Sequence, residues 1–259
     1  MQDTLKVAII QSDLIWENPA ENRRDFSKKI KEINQEVDLI LLPEMFTSGF
    51  TMTPEQVAEP MNGETVNWMR NIAQEKDVAL GGSVVIEENQ TYYNRFIFAH
   101  PDSEVSTYDK RHTFTLAGED KVYASGNKKV LVEYKGWKIC LMICYDLRFP
   151  VWSRNTEDYD LLLYVANWPK PRVNAWDALL KARAIENMCY CIGVNRTGGD
   201  ANGHEYVGHS AVYNSLGESL CKITDGKQET RIVELDKNHL ETTRATLKFL
   251  DDRDSFTVI

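Results

Sequence analysis

Trp137-Lys138-Ile139-Cys140-Leu141-Met142-Ile143-Cys144-Tyr145-Asp146-Leu147-Arg148-Phe149-Pro150 is the stretch on which the fold reading turns. Its first half is an apolar run of strand length, broken only by Lys138, and Pro150 can open a helix just after the turn. A core strand that passes through a turn into a helix is α/β grammar. A cysteine at that junction stands on a rigid element with its sulfur at the rim of the sheet, where such enzymes keep a nucleophile. Two other stretches, ending at Glu44 and at Lys110, have the same form: a polar reactive group closing an apolar strand.

Outward from this junction, apolar runs and helical patterns alternate. On the N-terminal side, 5–11 and 37–43 read as strands. Pro19 opens an amphipathic helix to about Gln35, with Phe26, Ile30 and Ile33 on one face. A second helix over 63–76 places Val66, Met69, Ile72 and Ala73 at helical spacing. Strands 78–87 and 92–99 form a hairpin about Glu88-Asn89-Gln90, and 105–109 follows the Pro101-Asp102-Ser103 turn. On the C-terminal side, 130–134 meets the central run across Lys135-Gly136, 160–168 is the next strand, and 171–187 is a helix lined by Trp176, Leu179, Leu180 and Ile185. Strands at 190–195, 210–214, 220–223 and 231–235 follow, and the charged tail from His239 reads as a wrap over the surface or a partner. Helices interrupt the strands throughout, which favours an α/β layered architecture over an all-β barrel.

The 259 residues carry no Pro/Gly/Ser-rich linker, so a single domain over 1–259 is expected, large enough to enclose a dry site. A net charge of -9 argues against nucleic acid or anionic membranes as partners, although one local arginine can still hold an anionic metabolite. No apolar run approaches the ~18 residues of a membrane span, and the opening Met1-Gln2-Asp3-Thr4-Leu5-Lys6 has no signal-peptide core; a cytoplasmic location is expected. The five cysteines (140, 144, 189, 191 and 221) are odd in number and mostly set in apolar strands, as suits reduced thiols. No histidine cluster adjoins them, so no metal is expected. Gly81-Gly82-Ser83 falls inside a strand and Gly198-Gly199 in a turn, neither of which fits a dinucleotide loop; no cofactor is expected.

Each reactive group has a plain reading on its own. Glu44 could be a loop carboxylate, Lys110 a solvated lysine, and Cys144 a core thiol like Cys140. In combination they supply what amide hydrolysis requires. A thiol must give its proton to a nearby base, and a carboxylate in an apolar site is shifted toward that role. A fixed cation, with the backbone N–H after the nucleophile, stabilises the tetrahedral oxyanion. The five histidines (100, 112, 204, 209 and 239) fall in turns or after strands, and none is an evident partner for Cys144.

Leu41-Leu42-Pro43-Glu44, Tyr108-Asp109-Lys110-Arg111-His112 and Ile143 to Pro150 resemble, in order and separation, the three signature segments of the nitrilase superfamily of carbon–nitrogen hydrolases. Tyr164-Val165-Ala166-Asn167-Trp168-Pro169, Lys181 to Asn187, Asn195-Arg196 and Gly208-His209-Ser210 resemble its further segments, so the resemblance runs through nearly the whole chain. In detail the chain is similar to the omega-amidase branch of bacterial type. The resemblance implies a four-layer α-β-β-α sandwich that usually dimerises through a helical face. It implies Cys144 as nucleophile, Glu44 as general base, and Lys110 with the Tyr145 N–H as oxyanion donors. Glu119, in Leu116-Ala117-Gly118-Glu119, takes the position of a second active-site glutamate that orients the lysine. The implied partner is a small amide: the terminal amide of 2-oxo acids such as 2-oxoglutaramate and 2-oxosuccinamate. Such substrates are anionic at the far end, and Arg148 can bind a carboxylate bidentately; its structural alternative is a pair with Asp146 or with a helix end. Trp168 and Phe50 are candidate pocket walls or, equally, core aromatics. An amidase for another small amide or an N-carbamoyl compound, a nitrilase, and a non-catalytic oligomeric binding protein on the same scaffold remain as alternatives.

Overall fold

The computed structural model describes residues 3–223 and 226–258; Met1 and Gln2, where the leader reading begins, and Ile259, where the single domain ends, lie outside the described residues. In chain order the first half holds β1 (Thr4–Gln11), α1 (Pro19–Lys31), β2 (Leu39–Leu41), α2 (Glu64–Lys76), β3 (Ala79–Glu88), β4 (Thr91–Ala99) and β5 (Val105–Asp109). The second half holds β6 (Leu131–Tyr134), β7 (Trp137–Ile143), α3 (Pro150–Ser153), β8 (Leu161–Ala166), α4 (Val173–Glu186), β9 (Tyr190–Asn195), β10 (Thr197–Gly199), β11 (Glu205–Val207), β12 (Ala211–Tyr213), β13 (Ser219–Lys222), β14 (Glu229–Asp236) and α5 (Lys237–Leu247). They form two six-stranded sheets, β14-β1-β2-β3-β4-β5 and β13-β12-β9-β8-β7-β6, and a small β10-β11 hairpin.

The apolar runs are apolar on both faces because both faces are covered. In β1, Leu5, Val7 and Ile9 point into the core shared with the second sheet, while Ala8 and Ile10 meet Phe26 and Ile30 of α1 and Val66, Met69 and Ala73 of α2. Strand β2 divides in the same way, Leu39 and Leu41 inward and Ile40 outward, since successive strand residues face opposite sides. Across the second sheet, α4 lays Trp176, Leu180 and Ala184 against the same central cluster. Gly193 lets α4 approach β9: a Cβ there would lie 2.5 Å from Leu180 and 2.6 Å from Trp176. The result is the expected α-β-β-α sandwich.

Strands β1, β2 and β3 run parallel, as do β7, β8 and β9. Their C-terminal ends share one edge of the sandwich, which is where open α/β sheets bind ligands.

Several expectations need correction. The tail lies over the surface, but as a helix that the sequence reading did not give: Asp236 caps α5 by accepting the His239 N–H, Leu240 is buried, and Arg244 binds Asp160 Oδ1 at 3.2 Å and the carbonyls of Tyr159 and Met188. Charged outer residues conceal this helix in the sequence. Gly198-Gly199 lies in β10 rather than in a turn, in a hairpin too short and glycine-rich to alternate. The first helix stops at Lys31, and β8 stops at Ala166. No helix among the described residues is long and apolar enough to cross a membrane.

Candidate active site

The chain leaves β2 through Leu42-Pro43 and delivers Glu44, fully buried, between the two sheets. Its Oε1 accepts from Lys110 Nζ at 3.0 Å and Asn94 Nδ2 at 2.8 Å; its Oε2 accepts from the Asn167 backbone N–H at 2.7 Å. Asn167 Nδ2 also donates to the Glu44 carbonyl at 2.6 Å. Three donors to one carboxylate are what make its burial tolerable. Lys110, the first residue after β5, is 1% exposed, and its Nζ also donates to both oxygens of Glu119 at 2.9 Å. Glu119 accepts in addition from the Phe114 N–H at 2.5 Å and from Asn94 Nδ2 at 3.3 Å.

These contacts set the charge states. Burial works against the Lys110 ammonium, yet the carboxylates of Glu119 and Glu44 outweigh it and carry the pKa above its ordinary value. The lysine is therefore a permanent cation. Glu119 moves up: burial is the main cause, Lys110 opposes it, and the nearby Glu44 adds to it. The Cys144 thiol is pushed well above its usual range by burial first and by Glu44 second, with Lys110 offsetting part of the rise. Both causes hold Cys144 in its neutral thiol form.

Cys144 opens a 3-10 turn, Cys144–Arg148, and its φ is +45°, a left-handed conformation that a side chain adopts only under constraint. The constraint is Asp146. This fully buried carboxylate accepts from the Ile143 N–H at 3.0 Å, the Tyr108 hydroxyl at 2.7 Å, the His112 N–H at 3.0 Å and His112 Nδ1 at 2.7 Å. The His112 ring stacks on Phe149, centroids 3.7 Å apart, so the turn is gripped from both ends. Asp146 is engaged with these donors, and the alternative in which it pairs with Arg148 is excluded.

A cavity of about 410 Å³ opens over the thiol. Lys110, Tyr145, Arg148, Trp168 and Phe50, all singled out from the sequence, line it with Cys144, whereas Glu44 and Glu119 stand behind Lys110. Phe50 lies 5.1 Å below the Lys110 ammonium and Trp168 5.0 Å below the Arg148 guanidinium, so both aromatics support cations. Tyr145 is the second residue of the 3-10 turn, where a backbone N–H lacks an intrahelical acceptor.

Sequence reading missed four residues here. Asn94 bridges the two glutamates from the middle of β4; a lone amide inside Tyr92-Tyr93-Asn94-Arg95 was its only signal. Asn167 ties Glu44 to the end of β8, and its segment was noted without a role for it. Arg172, at the end of the 3-10 turn Lys170–Arg172, and Phe114 also line the cavity; the segment of the first was noted without a role for the arginine.

A family model described as carbon-nitrogen hydrolase matches residues 6–245. The chain is 46% identical over 254 residues to a protein of Escherichia coli K12 named omega-amidase YafV, spanning 97% of this chain and 98% of that one. It is 30% identical over 253 residues to the 2-oxoglutaramate amidase of Bacillus subtilis 168, spanning 95% and 96%. Among solved structures, a CN-hydrolase superfamily protein of Xanthomonas campestris with an arsenic adduct in its active site superposes with a TM-score of 0.97 at 39% identity, covering 100% of both chains.

Proposed function

The chain belongs to the carbon–nitrogen hydrolase family, and from that premise we infer that it is an omega-amidase, hydrolysing the terminal amide of 2-oxo dicarboxylic acid monoamides such as 2-oxoglutaramate to the 2-oxo acid and ammonia. The observation that carries the chemistry is the buried Glu44–Lys110–Glu119 cluster, whose lysine lines one cavity together with Cys144. The observation that favours the substrate is Arg148, which lines that cavity with no ion pair among the described residues.

In this reading Glu44 takes the Cys144 proton as sulfur attacks the amide carbon. The oxygen becomes an oxyanion held by the Lys110 ammonium and the Tyr145 N–H. Collapse of the tetrahedral intermediate expels nitrogen, which takes the proton back from Glu44 and leaves as ammonia; the acyl group remains as a thioester on Cys144. Glu44 then draws a proton from water, hydroxide adds to the thioester, and the thiol is restored as the acid departs. Glu119 keeps Lys110 aimed at the oxyanion. The steps consume water alone and call on no cofactor. Arg148 holds the far carboxylate, with Trp168 and Phe50 as walls.

The whole chain works here as one catalytic domain, and as a cytoplasmic homodimer. A reducing compartment suits a nucleophile that must stay a free thiol. Exposed Val151, Ile185 and Leu216, on the helical side of the second sheet, support the dimer.

Ammonia release from 2-oxoglutaramate, succinamate, glutamine, butyramide and a nitrile tests the assignment. Preference for the oxo acid amide is expected. Activity confined to another member of the panel would keep the thioester route and discard the substrate; a silent panel would favour a binding protein on this scaffold.

A further inference from the structure

We propose that Arg172 is a second reader of the substrate's far end, and that it acts with Arg148 to select 2-oxo acid amides over 2-amino acid amides. The inference rests on the omega-amidase reading and assigns its specificity to a residue whose backbone carbonyl is bonded to Trp168.

Both guanidinium groups line the cavity over Cys144, and each rests on an aromatic face: Arg148 Cζ lies 5.0 Å from the Trp168 centroid and Arg172 Cζ 5.0 Å from the Phe114 centroid. Trp168 links the two, because its Nε1 donates to the Arg172 carbonyl at 2.8 Å. Phe114 is fixed from behind by its N–H bond to Glu119, and its ring meets Tyr145 at 4.8 Å. Both arginines are thereby tied by short paths to the catalytic residues.

Neither side chain has a hydrogen-bond or ion-pair partner among the described residues, in a chain with a net charge of -9. Partners are found close by: Lys170, two residues from Arg172, is paired with Glu205. A guanidinium stacked on a ring keeps its N–H edge free for a planar acceptor, and here two such edges face one cavity. Asp200, the one carboxylate among the residues lining that cavity, is already engaged. Its side chain is 3% exposed and accepts from the N–H groups of Asn202 and His204 and from the Tyr206 hydroxyl.

A 2-oxo acid offers only acceptors at its far end, two carboxylate oxygens and the keto oxygen, which is more than one guanidinium can engage. An amino acid offers an ammonium in place of the keto group. That ammonium would face two like charges with no free carboxylate to receive it. The wall therefore rejects glutamine and asparagine by charge rather than by size.

The test is kcat and KM for wild type, Arg172→Gln and Arg172→Lys on 2-oxoglutaramate, glutamine and butyramide. Arg172→Gln should raise KM for the oxo acid amide ~10- to 100-fold with little change in kcat, and leave butyramide within ~3-fold. It should also narrow the oxo acid to glutamine ratio of kcat/KM by ~10-fold or more, and Arg172→Lys should recover part of that ratio. A uniform loss on all three substrates, or a ratio that does not move, overturns the assignment while leaving the omega-amidase reading intact. A wild-type enzyme indifferent to the oxo acid end overturns that reading and this inference with it. Should Arg172→Gln fail to fold, protection of Cys144 from alkylation by 2-oxoglutarate in Arg172→Lys decides: a ~10-fold higher half-protecting concentration supports the role, and an unchanged one refutes it.

Discussion

At the scale of single residues, the pairing of a raised thiol with a buried base makes a prediction that separates this site from thiolate–imidazolium enzymes. Cys144 is raised by burial and by Glu44, so below that elevated value it stays protonated and the thiolate appears only above it. Alkylation of Cys144 by iodoacetamide should therefore keep rising through the ordinary thiol range, about pH 8.5, and Glu44→Gln, which removes one cause of the rise, should move the profile to lower pH. A rate that levels off below neutrality would demonstrate a preformed thiolate and refute this account. Glu119→Gln should lower kcat ~100-fold, the usual loss when one oxyanion donor is misplaced, with little effect on KM; steady-state kinetics on any good substrate will measure it. Glu44 and Cys144 were legible because each closes an apolar strand, which is a local signal; Lys110 follows the mixed strand Val105–Asp109 and was legible through the resemblance. Asn94 and Asn167 were not, because what distinguishes them is a neighbour far away: Glu44 lies |i−j| = 50 and 123 residues from them in the chain.

At the scale of elements, the turn that carries Cys144 depends on a carboxylate that does not line the cavity. Asp146 satisfies the donors of β7, of Tyr108 at the end of β5 and of His112 beyond it, and so joins the two sheets at the point where Cys144 is bent into φ +45°. Asp146→Ala leaves those donors buried and unmet. It should destabilise the protein by about 3 kcal/mol in urea unfolding and reduce activity through displacement of the turn. Gly193→Ala drives a methyl into Leu180 and Trp176 and should cost about 1–3 kcal/mol without altering the pH dependence of turnover. The long, periodic or fully apolar elements were readable from the sequence: α2 and β7 begin and end within a residue of expectation. The β10–β11 hairpin and α5 were not, since the first lacks a period-two pattern and the second buries one leucine among the hydrophobic residues of its three turns.

At the scale of the whole molecule, the layer order decides which faces remain for other molecules. The helical side of the second sheet leaves Val151 at 56% exposure and Ile185 and Leu216 at 45%. If the proposed homodimer forms through this face, the double variant Val151→Asp/Ile185→Asp should sediment as a monomer where the wild type sediments as a dimer, and a variant that stays dimeric would place the interface elsewhere. Fold class was legible because runs buried on both sides require cover on both sides. The number of layers was not, since periodicity cannot tell a second sheet from a second row of helices, and it came from the resemblance. One consequence concerns how the enzyme comes into being. Glu44 and Lys110 belong to one sheet and Cys144 to the other, and the central core between them is a single cluster. A half-made chain emerging from the ribosome therefore carries Glu44 and Lys110 without Cys144, the base and cation of the proposed mechanism with no sulfur to activate. A released chain whose sheets have not yet closed on each other has an ordinary thiol. Recovery of turnover during refolding will then report a single event, the meeting of the two sheets, and every earlier species will be chemically mute.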